Sequence, residues 1–228
     1  MSFSVLKRLS KEMNRIAAFA AASLIAATLS AQQTPQLKQV ADRVDNHYNH
    51  LASFRCDFTE TYSGSGMNRQ ESGTLWLKKP GKMLWEYDKP HAKVFVSDGK
   101  TAYFYVPGEP QGRKAPLKKL DDLRSPLRYL LGQTKLLKEF DGLKLVSSSG
   151  EESVLEGVPK GMEDRIRNVR LTVEGQQLSG ISIEQLDGSR TEFHFSHAQD
   201  NPPVADSRFK PAVSSEIQWI EGQDLAPE

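Results

Sequence analysis

Histidines are the side chains of this 228-residue chain with the clearest potential for metal chemistry. His47 and His50 are three residues apart, a spacing that brings two imidazoles together on one helix face. His194 and His197 are also three apart, but on a predicted strand, where they point to opposite faces, and His91 stands alone after a proline. Neither pair has carboxylate or cysteine partners at metal-ligand spacing. The sequence therefore predicts no metal site.

The candidate nucleophiles give no catalytic motif either. Cys56 is the single cysteine and lies between Phe54 and Phe58 in an alternating pattern, which predicts a small core residue and not an exposed thiolate. The chain has no G-x-S-x-G elbow, phosphate loop or dinucleotide fingerprint. Asp121 and Asp122 precede a predicted helix start, where negative charge is favourable without any chemistry. We therefore expect neither an enzyme nor a cofactor.

Apolar surface is the chemical feature that remains. Ten aromatic residues lie on predicted strands: Phe54, Phe58, Trp76, Trp85, Tyr87, Phe95, Tyr103, Tyr105, Phe193 and Phe195. The simplest interpretation is an ordinary packed core. A cavity for an apolar ligand stays open as an alternative, because periodicity alone does not distinguish a cavity from a core.

Two helices are predicted to position these residues. Residues 35–51 carry apolar side chains at i, i+3 and i+4 spacing, which indicates an amphipathic helix with Thr34 as its N-cap and Pro35 in its first turn. Residues 125–131, with the sequence SPLRYLL, predict a second, short helix that ends at Gly132. A helix of this length is unstable alone in water, so it must dock on an apolar surface.

The remaining pattern has a period of two and predicts about ten strands. Predicted strands cover residues 54–58, 73–79, 82–87, 93–97, 100–106, 166–173, 178–186, 189–197 and 216–220, and residues 108–119 read as an irregular loop. Asp98-Gly99 is a strong hairpin turn signal. No alternation of strand and helix is visible, which favours one curved antiparallel sheet over a parallel one.

The N-terminus indicates export. Four basic residues and one acidic residue precede residues 16–29, an apolar run too short to span a bilayer comfortably but suitable for a signal peptide. We expect residues 1–31 to be removed near Ala31, leaving a single domain at residues 32–228. The next residue is Gln32 and not a cysteine, so the mature chain is expected to carry no lipid. Its net charge of about −2, against +1 for the whole chain, argues against nucleic acid as a partner.

Several motifs resemble those of the LolA family of periplasmic lipoprotein carriers. The segments are GTLWLKKPGKMLWEY at residues 73–87 and VSDGKTAYFYVP at residues 96–107. Phe54-x-Cys56-x-Phe58 resembles the family's first-strand motif, and Ser125-Pro126-Leu127 resembles the start of its lid helix. Gln111, shortly after Pro107, also fits the pattern.

The resemblance implies a mainly β fold, an unclosed antiparallel β-barrel formed by a curved sheet and covered by a helical lid. It also implies a periplasmic chaperone that binds the acyl chains of lipoproteins in an apolar cavity and moves them from the inner to the outer membrane. The implied partners are lipoproteins, the inner-membrane ABC transporter of the Lol system, and the outer-membrane receptor LolB or an equivalent. A monomer is expected.

The resemblance also implies site residues. Expected positions lining the lipid-binding cavity are Tyr48, Phe54, Phe58, Met83, Trp85, Leu127, Leu130 and Ile181. The family has an arginine before the proline of its Trp-x-x-Arg-Pro motif, which hydrogen-bonds the lid backbone. Here that position is Lys79, which keeps the charge but lacks the guanidinium fork, so a weaker lid latch is predicted. Arg128 in the lid, where apolar residues are common, is a second departure.

Two alternatives on the same fold remain open. One is a lipid-binding sensor module, and the other is a carrier of a different lipid such as a glycolipid. Sensor modules of this type usually carry a further domain, which favours the carrier. A hydrolase is disfavoured because no nucleophile constellation is visible.

Overall fold

The computed structural model describes residues 35–117, 135–211 and 217–222. Residues 40–228 form one structural unit, and residues 1–39, of which 35–39 are described, form another. A helix, α1, runs over residues 35–50, as the apolar spacing predicts. A second helix, α2 (Leu136–Glu139), has a single turn. The predicted lid helix at residues 125–131 lies outside the described residues.

Twelve strands account for most of the described chain. They are β1 (Ser53–Gly64), β2 (Met67–Lys78), β3 (Lys82–Lys89), β4 (Lys93–Asp98), β5 (Thr101–Tyr105), β6 (Gln111–Pro116), β7 (Phe140–Ser149), β8 (Glu152–Pro159), β9 (Ile166–Glu174), β10 (Gln177–Gln185), β11 (Arg190–Asp200) and β12 (Gln218–Glu221). A 3-10 helix, Asp206–Phe209, lies between β11 and β12.

These strands form one sheet in the order β12-β6-β5-β4-β3-β2-β1-β11-β10-β9-β8-β7. Within the described segments the edge strands β12 and β7 do not pair with each other, so the curved sheet is unclosed. The predicted fold class, mainly β with an unclosed sheet, is confirmed. Every neighbouring pair is antiparallel except β12 and β6, which run parallel.

The Asp98-Gly99 turn forms the predicted hairpin, and the Asp98 side chain stabilises it. Between β4 and β5, the Asp98 carboxylate accepts hydrogen bonds from the backbone N–H groups of Lys100 and Thr101, both at 2.8 Å. Gly99 has a φ of +95°, a left-handed conformation that glycine adopts without steric cost. The turn sequence thus fixes the β4–β5 register.

One part of the strand prediction is wrong. Residues 111–116 lie within the predicted irregular loop but form β6, which pairs with both β5 and β12. Its buried residues are the small Gly112 and Ala115, so no large apolar side chain marks the strand. Pairing with its neighbours, and not intrinsic propensity, places this segment in the sheet. The hairpin of β7 and β8 was not predicted at all.

Candidate functional site

One face of the sheet collects most of the predicted cavity residues. On β1, Phe54, Cys56 and Phe58 are all buried and, two residues apart, point to the same side. The register places Leu75 of β2 opposite Cys56, and Trp85 of β3 opposite Leu75. Because paired residues share a face, this apolar surface continues from strand to strand. We call it the α1 face, since Tyr48 of α1 packs against it.

Aromatic rings form the centre of the α1 face. The Phe58 ring lies edge-on to the rings of Trp85 and Tyr87, with centroid distances of 4.7 and 4.9 Å. Phe193 of β11 contacts Trp85 at 5.8 Å. Gly73 lies between Phe58 and Tyr87 in the register, and a Cβ atom there would be 1.9 Å from the Glu86 carbonyl oxygen. The missing side chain lets the neighbouring rings meet across the strand.

Tyr48 attaches α1 to the sheet. Its side chain is fully buried, and its ring lies edge-on to Phe54 at 5.7 Å. Its hydroxyl oxygen accepts a hydrogen bond from the backbone N–H of Leu178 at 3.0 Å. Burial raises the pKa of Tyr48 well above its ordinary value, so the phenol stays neutral. Tyr48 therefore contributes its apolar ring to the α1 face, while its hydroxyl group is hydrogen-bonded to β10.

Lys79 contacts the end of α1. Its ammonium donates hydrogen bonds to the backbone carbonyl oxygens of Tyr48 and Asn49, at 2.7 and 2.8 Å. Carbonyls in the last turn of a helix lack intrahelical donors, and a cation there also complements the helix dipole. Partial burial lowers the pKa of Lys79. The described partners of its ammonium are thus on α1, while the predicted lid partners lie outside the described residues.

The structure brings six of the predicted cavity residues to the α1 face. Tyr48, Phe54, Phe58 and Trp85 are buried there, as described above. Ile181 is buried on β10 opposite Phe193, and Met83 is half-buried opposite Leu77. Leu127, Leu130 and Arg128 lie outside the described residues.

Sequence reasoning missed further members of this surface. Tyr87 and Phe193 were recognised as strand aromatics but not as site residues. Strand parity was the available signal, because Tyr87 is two residues from Trp85 and must share its face. The same parity assigns Trp76, which pairs with Leu84, to the opposite face, where Arg208 lies 4.5 Å above its ring. The two tryptophans of this hairpin therefore have different roles.

The α1 face becomes polar toward one end of the strands. The Tyr87 hydroxyl donates a hydrogen bond to the Glu60 carboxylate at 2.8 Å. Burial raises the pKa of Glu60, and Tyr87 partly opposes that shift. A cavity of about 570 Å³ lies near this end, with Glu71, Lys93 and Phe104 among its lining residues. The surface thus combines an apolar centre with a polar end.

The cysteine and the helix histidines that could have taken part in nucleophilic or metal chemistry contact other parts of the fold instead. Cys56 is fully buried, and burial raises the pKa of its thiol to about 12, which confirms it as a core residue. His47 lies 3.5 Å from the Asp200 carboxylate, whereas His50 contacts the Asn46 carbonyl oxygen at 2.7 Å. Within residues 35–117, 135–211 and 217–222, no cluster of three or more His, Cys, Asp or Glu side chains is arranged to hold a metal.

Neither α-helix of the described residues is both long and apolar enough to cross a bilayer.

Comparisons with known proteins identify the family. The model of the family described as "Outer membrane lipoprotein carrier protein LolA" matches residues 49–212. An outer-membrane lipoprotein carrier protein of Chromohalobacter salexigens is 32% identical over 84% of this chain and 92% of its own length. The corresponding protein of Cupriavidus taiwanensis is 28% identical over 86% and 93%.

A solved structure supports the fold. An uncharacterized conserved protein from Thermus thermophilus superposes with a TM-score of 0.55 at 12% identity, covering 83% of this chain and 100% of that one. At this identity the similarity concerns the fold alone. The extent of the sequence matches shows that the chain belongs to the LolA family of outer-membrane lipoprotein carrier proteins.

Proposed function

We propose that this protein binds the acyl chains of lipoproteins on its α1 face and carries them from the inner to the outer membrane. The observation that carries the proposal is the half-buried apolar surface of Met83, Tyr87 and Phe95 in a chain of this family. The proposed activity is binding and transfer, not catalysis. The named relatives are lipoprotein carriers, which supports the same function here.

The physical chemistry of acyl chains makes such a carrier necessary. Each methylene group removed from water contributes about 0.8 kcal/mol, so a chain of roughly 16 carbons is worth on the order of 12 kcal/mol. A lipoprotein released into water without a partner would aggregate or reinsert into the membrane it left. An apolar protein surface that binds the chains avoids the free-energy cost of exposing them to water. Transfer then requires a second apolar site in contact with the first.

The proposed cavity has two parts. Tyr48, Phe54, Phe58, Met83, Trp85 and Ile181 form one wall. Leu127 and Leu130, assigned by family resemblance, provide the lid. We propose that Lys79 restrains this lid in addition to its contacts with α1. A Lys79→Arg variant tests the latch: slower release of bound cargo supports it, and unchanged release and transfer contradict it.

The compartment and the partners follow from the same proposal. Residues 1–31 act as a signal peptide, and the mature domain at residues 32–228 works in the periplasm as a monomer. It receives cargo from an inner-membrane ABC transporter of the Lol system and delivers it to LolB or an equivalent receptor. N-terminal sequencing of the exported protein tests the cleavage near Ala31.

The experiment that tests the function has two steps. The exported protein is purified and its bound material is identified by mass spectrometry. The protein is then added to spheroplasts that are synthesising a labelled lipoprotein, and release into the medium is measured. Release of the lipoprotein is the expected result. Bound glycolipid without lipoprotein release would instead establish the second candidate, a carrier of another lipid.

A charge placed on the α1 face sharpens this test. Met83→Asp introduces a carboxylate into the apolar surface, and desolvating that charge opposes acyl-chain binding. We expect lipoprotein release to fall at least about tenfold, which corresponds to roughly 1.4 kcal/mol. Leu186→Asp is the matched control, because Leu186 is 47% exposed. Equal release by both variants would contradict the proposed location of the cavity.

A further inference from the structure

Charged side chains interrupt the apolar α1 face at one end of the sheet. Glu60 of β1 lies directly opposite Glu71 of β2 in the register. Tyr87 of β3 lies opposite Lys93 of β4. We call Glu60, Glu71, Tyr87 and Lys93 the charged row. The row lies at the ends of β1 and β3 that are distant from α1, where the aromatic centre stops.

The charged row is closely coupled internally. The Lys93 ammonium lies 2.7 Å from the Glu71 carboxylate and 4.3 Å from the centroid of the Tyr87 ring. The Tyr87 hydroxyl donates to Glu60 at 2.8 Å. Arg69 contacts the same Glu71 oxygen as Lys93, at 3.3 Å. Glu71 and Lys93 are each only 7% exposed, so the ion pair is largely withdrawn from water.

Stability alone does not account for this arrangement. A buried ion pair contributes little net stability, and apolar residues of similar volume are often equal or better. Two carboxylates directly opposite each other on neighbouring strands are unfavourable. A surface that held only acyl chains would be better served by apolar residues throughout. The charged row therefore points to a polar part of the ligand.

The cavity of about 570 Å³ provides the space for that polar part. Glu71, Lys93 and Arg69 line one side of it, and residues 90–92, 106 and 109–111, at the turns after β3 and β5, surround it. Phe104 lines it as well and pairs with Phe95, which pairs in turn with Trp85. The aromatic centre of the α1 face is thus continuous with a cavity that has charged walls.

We propose that the charged row binds the polar head of an acylated glyceryl lipid, through the ester and amide carbonyl groups and the adjoining peptide. The proposal rests on the proposed carrier function. Lys93 and Arg69 carry N–H donors suited to carbonyl oxygens, and the carboxylates suit peptide N–H groups. The acyl chains then extend over Phe58 and Trp85 toward Phe54.

This orientation matches the length of the surface. From Glu60 to Phe54, β1 spans about 20 Å at roughly 3.3 Å per residue, enough for the greater part of a long acyl chain. The methyl ends of the chains lie near Phe54 and Met83. The polypeptide of the cargo then leaves the carrier beside the turns after β3 and β5, at the end of the sheet distant from Lys79.

Photocrosslinking tests the orientation directly. The full chain is incubated with synthetic triacylated lipopeptides that carry a diazirine either at the methyl end of a chain or next to the glyceryl esters. Mass spectrometry then locates the adducts. We expect the methyl-end probe to label Phe54, Leu77 or Met83, and the ester-end probe to label Phe58, Tyr87 or Lys93. The reversed pattern, or identical labelling by both probes, overturns the proposal.

A double variant tests the chemistry of the charged row. Glu71→Gln with Lys93→Met removes both charges of the ion pair, so neither partner is left buried with its charge unpaired. We expect lipopeptide affinity to fall about tenfold, as for the loss of one charge-assisted hydrogen bond. Binding of the hydrocarbon probe diphenylhexatriene should be unchanged. The control is Glu156→Gln with Arg170→Met, which removes an ion pair of β8 and β9 that lies outside the lining of the cavity, with an N–O distance of 2.6 Å, and it should change neither affinity.

The outcomes separate this proposal from the carrier function. Unchanged lipopeptide affinity in the double variant overturns the head-group site while leaving acyl-chain binding in place. A loss of diphenylhexatriene binding as well would show that the substitutions damaged the apolar surface, and this too overturns a specific head-group role. Failure of the parent protein to bind either probe would count against the carrier function itself.

Discussion

The two faces of the sheet are both apolar, but they are covered differently. On the face opposite α1, Leu84, Val96 and Tyr105 form a buried cluster with Phe209, which belongs to the C-terminal segment. Trp219 of β12 packs on the same cluster. The chain thus covers this face with its own later residues. On the α1 face, Met83, Tyr87 and Phe95 are half-buried, and the cavity lined by Lys93 and Phe104 lies at the polar end of this face.

Charged groups show the same contrast. On the opposite face, Asp206 bridges Lys78 and Lys82 at 2.7 and 2.6 Å, and Arg208 pairs with Glu86 at 2.8 Å. These ion pairs attach the 3-10 helix to β2 and β3. On the α1 face the charges contact one another within the surface. This difference agrees with the proposal that the opposite face stabilises the fold while the α1 face binds the acyl chains.

Removing one phenylalanine from each face tests this division most strongly. Phe209→Ala removes a fully buried ring and should lower the free energy of unfolding by about 3–5 kcal/mol. Phe95→Ala removes a half-buried ring and should lower it by only about 1–2 kcal/mol. Denaturant titration measures both. Lipopeptide affinity of the folded protein should fall only for Phe95→Ala, and a fall for Phe209→Ala would break the comparison.

The contact between Lys79 and α1 predicts a smaller effect. Lys79→Met removes two charge-assisted hydrogen bonds to the helix end and should lower the free energy of unfolding by about 1 kcal/mol. Lys89→Met is the control, since Lys89 is an exposed lysine on the following strand. Hydrogen exchange should accelerate in the last turn of α1 in the Lys79 variant. Equal exchange in both variants would show that the hydrogen bonds contribute nothing.

Replacing Glu60 with glutamine should stabilise the folded protein by an amount that depends on pH. Burial raises its pKa in the folded protein, so folding becomes less favourable as pH rises from the ordinary glutamate range, near about 4.3, through the raised value. Glu60→Gln keeps an oxygen acceptor for Tyr87 and removes the charge. Its melting temperature should exceed that of the parent at pH 7, and the difference should shrink toward pH 4. A constant difference across this range would exclude the titration of Glu60 as its cause.

The smallest expected effect concerns the C-terminal segment. Hydrogen bonds from Lys78 and Lys82 lower the pKa of Asp206 to about 2, so its contribution is present above the ordinary aspartate pKa, near about 3.9, and is lost as pH falls toward 2. Asp206→Asn should lower the melting temperature slightly at pH 7 in low salt. High salt should remove the difference, because exposed charges are screened. A difference that persists in 1 M salt, where the screening length is about 3 Å, would contradict an ionic origin.

Sequence patterns predicted those parts of the fold whose signals are local. The helix at residues 35–50, the β2–β3 and β4–β5 hairpins and the late meander each carry their own periodicity or turn residues. Strand β6 carries neither, because Gly112 and Ala115 give no apolar alternation. Gly112 is small because the Trp219 ring lies over it, and a Cβ there would be 2.5 Å from that ring. That requirement comes from β12, about one hundred residues later in the chain.

A bulge in β11 is a second example. Arg55 and Asp57 of β1 pair with Gln199 and Ser196, so β11 carries one extra residue in this interval. His197 adopts a φ of +51° there, and its Nδ1 lies 2.9 Å from the Asp57 carboxylate. Simple alternation along β11 places His194 and His197 on opposite faces. The alternation predicts neither the positive φ of His197 nor its contact with the Asp57 carboxylate, because Asp57 lies on a strand far away in sequence.

The sequence by itself determined the family, the mainly β class and the alternation that places Phe54, Phe58 and Trp85 on strands. Only the tertiary structure decided which apolar face is covered by Phe209 and Trp219 and where the charged row lies. Period-two alternation separates the two faces of one strand, but the partner of each face is set by chain segments far away in sequence. Trp76 and Trp85 illustrate this, because one hairpin carries both and the long-range packing gives them different surroundings.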